Sequence, residues 1–332
     1  MNQERLRKSP NIAIVGSTSL LGKELQQMIE DRGLSLGRLT LLETEEYAGL
    51  LQEFAGDIQI TQVISPEALE DIDIAFFTCS PEIMQSYVAS GAAFPELTID
   101  LTQTGHPGTL FLHGISAAAV LRPKGYYVNP HPAAIVLGRL LSDFHNKFAV
   151  QSAAVTVLEP ASERGNGGVD ELQEQTVNLL NFQQVENKVF GAQLAFNILP
   201  EPETSSRAER LITGQLTEIL GKTFPRPMIT AIQAPVFHSH AFSVFLQLLA
   251  APSADELAAH IRQNRRFSTY TSGAGPSPVS VVGTDTIHIG RVQSMASGDS
   301  YALWVVADNL RIAASNALQT AEQIMLAPAL EM

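Results

Sequence analysis

The sequence predicts an α/β protein in two parts: a parallel sheet covered by helices, and an α+β part with a mostly antiparallel sheet. Up to about residue 148, short apolar runs alternate with helical segments, which is typical of parallel strands buried on both faces. Beyond that point the chain has longer alternating stretches rich in β-branched residues, a pattern that favours strands with one buried face. We expect one domain over residues 1–132 and 308–332, and a second, inserted domain over residues 133–307.

In the first part, one tight turn separates the first strand from the first helix. The apolar run NIAIV at 11–15 ends at Gly16, and ELQQMIEDRG has helical spacing with Gly33 as its stop. Further strands are predicted at 39–43, 72–80 and 96–102.

The second part contains long strand-forming stretches separated by helical segments. The strand patterns lie at 149–160, 227–250 and 284–308. Amphipathic segments at 169–184 and 206–221 predict helices between them. A last apolar pattern that begins at Leu310 predicts a C-terminal helix packed back on the first domain.

Charge and cysteine content restrict the class of protein. The 332 residues carry a formal net charge of −13, which argues against a nucleic-acid partner because phosphate binding relies on clustered Lys and Arg. No apolar run reaches the roughly 18 to 20 residues of a membrane span. The single Cys79 excludes an intrachain disulfide and fits a reducing compartment. We expect a cytoplasmic protein with no membrane partner.

The segment IAIVGSTSLLGKEL has the features of a Rossmann-type dinucleotide-binding turn. Gly16 and Gly22 occupy the first and third glycine positions at the end of a strand and the start of a helix, where free N–H groups attract phosphate. Ser19 stands where the backbone must approach the pyrophosphate. Two interpretations follow: a turn that binds a dinucleotide, or a turn kept only for packing.

Several segments together resemble the aspartate-semialdehyde dehydrogenase family over essentially the whole chain. They are GSTSLLG, AGLLQEF, IDIAFFTCS, VNPHPAAI, APVFHSHAFSV and WVVADNLRIAASNALQTAEQI. Within the family, the sequence is most similar to the divergent USG-1-like paralogues.

The resemblance implies an NADP-binding Rossmann domain that the C-terminal helix completes, an inserted catalytic and dimerisation domain, and a homodimer. It also implies chemistry by a cysteine thioester and hydride transfer, as in amino-acid biosynthesis. The cofactor-binding positions that it implies are Gly16, Thr18, Ser19, Leu20, Leu21, Gly22 and Asn309.

The position of the catalytic cysteine is the main departure from the family pattern. The family's Asn-Pro-Asn-Cys phrase reads here Asn129-Pro130-His131-Pro132, so Pro132 takes the place of the nucleophile. Proline has no nucleophilic atom, and a thioester mechanism needs a thiolate. Cys79 follows the third predicted strand and is interpreted as a small buried residue.

The substrate-binding positions also differ. His240 retains the acid/base position, with Ser239 in place of a family glycine. Gln233 replaces the arginine that would hold a carboxylate, and it cannot form the bidentate ion pair. Glu159 replaces a glutamine and adds negative charge where an anionic substrate would bind. Arg210 is the only possible substitute for the lysine expected near it.

The residues after the second strand, where the family binds the cofactor, also differ from the family pattern. Glu46 and Tyr47 stand where the family has an arginine and a serine for the 2′-phosphate of NADP. Because Glu45 and Glu46 would oppose a phosphate, we expect weakened binding of NADP or NAD, with NAD chemically easier to accept.

Three functions remain open. The first is a catalytically silent homodimer, a pseudoenzyme kept for binding or regulation, with HAFSVFLQLLA at 240–250 as an apolar strand for the dimer. The second is an altered oxidoreductase, or a metal or acid/base enzyme, that uses His131, Glu159 and His240, with His238 on the same strand face as His240. The third is residual aspartate-semialdehyde dehydrogenase activity.

Overall fold

The structure is a computed structural model that describes residues 9–201, 207–270, 273, 275–295 and 297–326. The chain divides into two compact units. Unit 1 comprises the residues up to His131 together with those from Ala313 onward, and unit 2 comprises Pro132–Ile312. Among the described residues, no helix combines the length and the apolar character needed to cross a membrane.

Unit 1 is built on a parallel sheet whose strands follow the predicted alternation with helices. Its elements are β1 Asn11–Val15, α1 Leu20–Asp31, β2 Arg38–Glu43, β3 Leu51–Phe54, β4 Asp57–Ile60, β5 Gln62–Val63, β6 Ile74–Phe77, α2 Pro81–Ala89, β7 Leu97–Asp100, β8 Thr109–Leu110 and β9 Gly125–Val128. The strand order is β5-β2-β1-β6-β7-β9-β8, with parallel neighbours throughout, and β3 and β4 form a separate antiparallel hairpin. The predicted Rossmann-type sheet is confirmed.

The central strands of this sheet are apolar because both of their faces are buried. In β6, all four residues of Ile74–Phe77 are buried, and β1 is buried from Ile12 to its end. This continuous burial distinguishes them from half-buried strands, which alternate. The buried carboxylates of this sheet, Glu43 and Asp100, stand at strand ends.

Unit 2 contains a mixed sheet. Its elements are α3 Pro132–Phe148, β10 Val150–Glu159, α4 Gly165–Leu180, β11 Leu199–Pro200, α5 Arg207–Leu220, β12 Met228–Gln233, β13 His240–Leu248, α6 Ala254–Gln263, β14 Phe267–Thr269, β15 Ile287–Ser294 and β16 Ser300–Ala307. The strand order is β11-β12-β10-β13-β16-β15-β14. β12 runs parallel to β10 and β14 parallel to β15, whereas the other neighbours are antiparallel. The antiparallel character predicted for this part is thus present for most, but not all, neighbours.

The two faces of the second sheet differ in exposure. Helices α3, α5 and α6 pack against it, and residues such as Val155, Val157, Phe242 and Val244 are buried. The alternate residues are more exposed, because successive side chains of a strand point to opposite faces of the sheet. Phe245 in β13 is 39% exposed.

The last helix, α7, spans Asn309–Leu326. The boundary between the two units falls inside it, after Ile312. Its apolar residues belong to the core of unit 1 together with Ile14, Leu25 and Phe76. The helix residues in that core are Ala314, Ala317, Leu318, Ala321 and Ile324.

Candidate functional site

The turn between β1 and α1 needs glycine at two positions for reasons of packing. Gly16 has φ +87°, and a Cβ atom there would lie 2.4 Å from the backbone nitrogen of Cys79. A Cβ atom on Gly22 would lie 2.3 Å from the carbonyl oxygen of Gly16. Both distances are far below van der Waals contact, so neighbouring backbone excludes any side chain at either position.

Side chains satisfy part of the turn's hydrogen-bonding capacity. The Ser19 hydroxyl accepts the N–H of Gly22 at 2.9 Å, as an N-cap of α1, and donates to the carbonyl of Thr78 at 3.0 Å. The N–H of Thr18 donates to the Glu43 carboxylate at 2.5 Å. The N–H groups of Leu20 and Leu21 have no hydrogen-bond partner within the described parts of the chain. The start of α1 therefore offers donors to an anion at these two positions.

Two strands of this sheet, β2 and β7, end in an acidic residue. Glu43 and Asp100 are the last residues of β2 and β7, and both are buried. The Asp100 carboxylate accepts the hydroxyl of Tyr126 at 2.8 Å and the hydroxyl of Thr102 at 2.6 Å. Burial, then the negative charges of Asp100 and Glu43, raise the pKa of the Cys79 thiol to about 12. Cys79 is thus protonated at neutral pH, and it is buried, as the sequence interpretation expects.

Asn129 of the VNPHP segment is held by a buried amide network in unit 1. Asn316 of α7 is fully buried, and its side-chain N–H groups donate to Asn129 Oδ1 at 2.7 Å and to the carbonyl of Phe111 at 3.1 Å. Its carbonyl oxygen accepts the N–H of His113 at 3.0 Å. The sequence interpretation did not single out Asn316. The polar residue in an apolar helix pattern is the signal that could have revealed it.

His131 and Pro132 stand at the boundary between the units. His131 is 6% exposed and is the last residue of this portion of unit 1. Pro132 is the first residue of α3, a position where proline is well tolerated because its missing N–H would have no partner in the helix. At this position the side chain supplies a ring and no reactive atom.

Two of the predicted site residues are adjacent in unit 2. Glu159 ends β10 and Gln233 ends β12, and they are register partners. The Gln233 side chain donates to the carbonyl of Glu159 at 2.9 Å, and its buried Oε1 has no partner among the described residues. His240 begins β13, next to the register pair Leu158 and Ala241. It therefore lies at the same end of the strands as Glu159 and Gln233.

A polar network surrounds His240. The imidazole Nε2 lies 3.5 Å from the Glu163 carboxylate. Asn309 donates to the same Glu163 oxygen at 3.1 Å and to the Ser162 hydroxyl at 3.0 Å, while its Oδ1 accepts the N–H of Ser239 at 3.0 Å. Both sides of the Asn309 amide are therefore used inside unit 2, and its predicted contact with a dinucleotide stays a prediction.

The sequence interpretation missed Glu163, which becomes the charged neighbour of His240. It lies in a short 3-10 helix at Ala161–Arg164, immediately after β10 ends. A polar cluster directly behind a strand end was the available signal, but the spacing of 77 residues to His240 gave no indication of contact. Only the fold brings them together.

The expectation that His238 and His240 share a strand face is wrong. β13 begins at His240, and His238 lies in the preceding irregular segment. Ser239 between them has φ +74°, a left-handed conformation that breaks the alternation of a strand. Among the described residues, no group of three or more His, Cys, Asp or Glu side chains is arranged to hold a metal ion.

Comparison with known proteins identifies relatives along nearly the whole chain. Residues 11–105 match the family model for the semialdehyde dehydrogenase NAD-binding domain, and residues 141–312 match the model for its dimerisation domain. An aspartate-semialdehyde dehydrogenase of Rickettsia conorii is 27% identical, over 96% of this chain and 99% of its own length. A USG-1 protein homolog of Pseudomonas aeruginosa is 28% identical, over 95% and 97%.

Solved structures agree with these matches. The crystal structure of aspartate semialdehyde dehydrogenase II from Vibrio cholerae, complexed with ASA, superimposes with a TM-score of 0.86 at 26% identity and covers 96% of this chain and 98% of that one. With two family models that together span most of its length, the chain belongs to the semialdehyde dehydrogenase family, as an oxidoreductase-type fold that combines an NAD-binding and a dimerisation domain.

Proposed function

We propose that this protein is a homodimeric member of the family that does not reduce aspartyl phosphate through a cysteine thioester. One observation carries the proposal: the only cysteine, Cys79, is 5% exposed with its pKa raised to about 12, and Pro132 occupies the position that the family phrase gives to the nucleophile. Without an ionisable, accessible thiol, the acyl group has no covalent carrier.

The surroundings of Gln233 support the same proposal. A carboxylate substrate needs a donor such as a bidentate guanidinium. One N–H of the Gln233 amide already donates to the carbonyl of Glu159, so at most one donor remains, beside an oxygen that is an acceptor. An anionic substrate would meet this oxygen and the carboxylate of Glu159, so its binding is disfavoured.

A second candidate is an acid/base enzyme that uses the same part of unit 2. The observation that favours it is the 3.5 Å approach of the Glu163 carboxylate to His240 Nε2, with Asn309 holding the carboxylate. A carboxylate beside a histidine can orient the ring and stabilise its protonated form. Such a pair needs no thiol.

The homodimer is supported by the exposed face of the second sheet. Register places Met228, Ala154, Phe245 and Ala302 in one row across four strands, and Met228 is 72% exposed. A row of this kind, within a family dimerisation domain, fits burial against a second copy.

The single cysteine, which excludes an intrachain disulfide, supports a cytoplasmic location.

Unit 1 supplies the cofactor part of the proposal. The donors at Leu20 and Leu21 fit a phosphate, but the side chain of Ser19 narrows the approach to the turn and makes it less favourable for anions than an all-glycine turn. A bound dinucleotide would supply hydride transfer chemistry. We propose that its affinity is weakened.

The decisive experiment is an assay of phosphate-dependent reduction of NAD⁺ and of NADP⁺, each tested separately, with aspartate semialdehyde. The wild-type protein should show no turnover above a no-enzyme control. Turnover that disappears in His240→Ala would overturn the proposal.

Light scattering after size-exclusion chromatography should give a dimer, and Phe245→Glu should give a monomer. A monomeric wild-type protein would contradict the dimer, independently of the activity result.

A further inference from the structure

We infer that Glu43 determines which dinucleotide unit 1 accepts, admitting NAD and excluding NADP. The inference deepens the cofactor part of the proposed function and depends on it. It concerns binding alone, so it does not depend on whether any reaction takes place.

The position of the Glu43 carboxylate is the first argument. Glu43 is the last residue of β2, is 3% exposed, and accepts the N–H of Thr18 at 2.5 Å, so it lies directly against the turn that leads into α1. In a dinucleotide-binding fold, an acidic residue at this strand end accepts the ribose hydroxyls while the pyrophosphate lies at the helix start. A carboxylate has about four acceptor sites, and Thr18 uses one of them.

The residues of the turn fit the rest of a dinucleotide. Gly16 lets the backbone pass close to Cys79, and the N–H groups of Leu20 and Leu21 remain as donors at the start of a helix of twelve residues. The turn therefore has donors for the pyrophosphate. NAD and NADP differ at the 2′ position of the ribose.

The charges near β2 provide the second argument. The sequence contains no Lys or Arg between Arg38 and Arg122. Arg38 begins β2, roughly 16 Å from Glu43 at about 3.3 Å per residue. On α1, Lys23 is exposed and Arg32 pairs with Glu322 at 3.4 Å.

The acidic groups complete this argument. Glu45 and Glu46 follow β2, and both are exposed. A 2′-phosphate carries two negative charges near neutral pH and needs guanidinium or ammonium partners. At the end of β2 it would meet Glu43 and further carboxylates, whereas a 2′-hydroxyl can donate to Glu43.

The substitution Glu43→Gln separates the hydrogen bond to Thr18 from the negative charge, with little change in the shape of the side chain. The glutamine oxygen can still accept the N–H of Thr18, but the negative charge is gone. The matched control is Glu46→Gln, which removes an equal charge from an exposed side chain three residues further on. Thermal unfolding of each variant without ligand verifies that the fold is retained.

The experiment measures the binding of NAD⁺ and NADP⁺ by isothermal titration calorimetry. Wild-type protein should bind NAD⁺ at least about tenfold more tightly than NADP⁺. Glu43→Gln should weaken NAD⁺ by about tenfold while leaving NADP⁺ unchanged or improved, and Glu46→Gln should change neither dissociation constant by more than about twofold.

Three results would overturn the inference: equal or tighter binding of NADP⁺ by the wild type, no binding of either dinucleotide, or an unchanged ratio in Glu43→Gln. The turnover assay with aspartate semialdehyde reports separately on the missing thiol. A protein with no turnover but a clear NAD⁺ preference would support both conclusions. A protein with turnover and the same preference would overturn the proposed lack of thioester chemistry and leave the NAD⁺ preference standing.

Discussion

Replacing Gly16 by alanine tests whether this glycine serves packing or only the approach of a ligand. The residue has φ +87°, and the added Cβ would lie 2.4 Å, 2.5 Å and 2.8 Å from the N, Cα and Cβ atoms of Cys79. Alanine in this backbone region costs about 1 to 2 kcal/mol. Overpacking against backbone adds about 1 to 3 kcal/mol. Gly16→Ala should therefore lower the free energy of unfolding by about 2 to 5 kcal/mol.

Gly49→Ala is the matched control for that substitution. Gly49 has φ +83°, nearly the same conformation, but no atom lies within 4 Å of the position that an added Cβ would take. It should cost only the backbone strain of about 1 to 2 kcal/mol. The loss of glycine's extra freedom in the unfolded state is common to both variants and cancels in the comparison.

Urea unfolding followed by circular dichroism gives both values, provided that the slope of the transition is unchanged. If Gly16→Ala is no less stable than Gly49→Ala within about 0.5 kcal/mol, the packing argument is wrong. Gly16 would then be explained by space for a ligand.

Three further predictions concern single side chains. Asn316→Ala removes an amide that bonds two acceptors and one donor in the core of unit 1, and it should cost about 3 kcal/mol in urea unfolding; a loss below about 1 kcal/mol would contradict the network. Ser239→Gly relieves a φ of +74° and should stabilise the protein by about 0.5 to 1 kcal/mol, so a lower unfolding midpoint would count against strain there. Cys79, with its pKa raised from 9.0 to about 12, should resist iodoacetamide at pH 8 in the native protein and react in urea, as followed by mass spectrometry. Because only the unfolded thiol ionises between these pKa values, its contribution to stability should be lost as pH rises from 9 towards 12.

Much of the fold follows from local patterns. The strand at 11–15, the stop of the first helix near Gly33 and the helical character of 309–326 are present in the structure. These elements have strong apolar periodicity, which reports which face is buried. Short elements such as β5 and β8 were not predicted, because two residues carry no periodicity.

The sites were less predictable than the strands. Sequence reasoning assigned the charge that opposes NADP to Glu45 and Glu46, which stays a prediction, and it did not single out Glu43, the last residue of the strand, which contacts the turn. It also placed His238 beside His240 on a strand, where the left-handed Ser239 interrupts the pattern. The contact of Glu43 and the break at Ser239 both depend on where a strand ends or begins, and a shift of one to three positions changes what a side chain faces.

By itself, the sequence determined the alternation of strands and helices in unit 1, the presence of a single cysteine, and the proline in the phrase where the family has its nucleophile. These depend on residue identity and on neighbours along the chain. The tertiary structure alone decided that Glu43 meets Thr18 across 25 residues and that His240 meets Glu163 across 77. Such contacts are set by which strands are neighbours and where each ends, and that information is carried by the packing of the whole sheet.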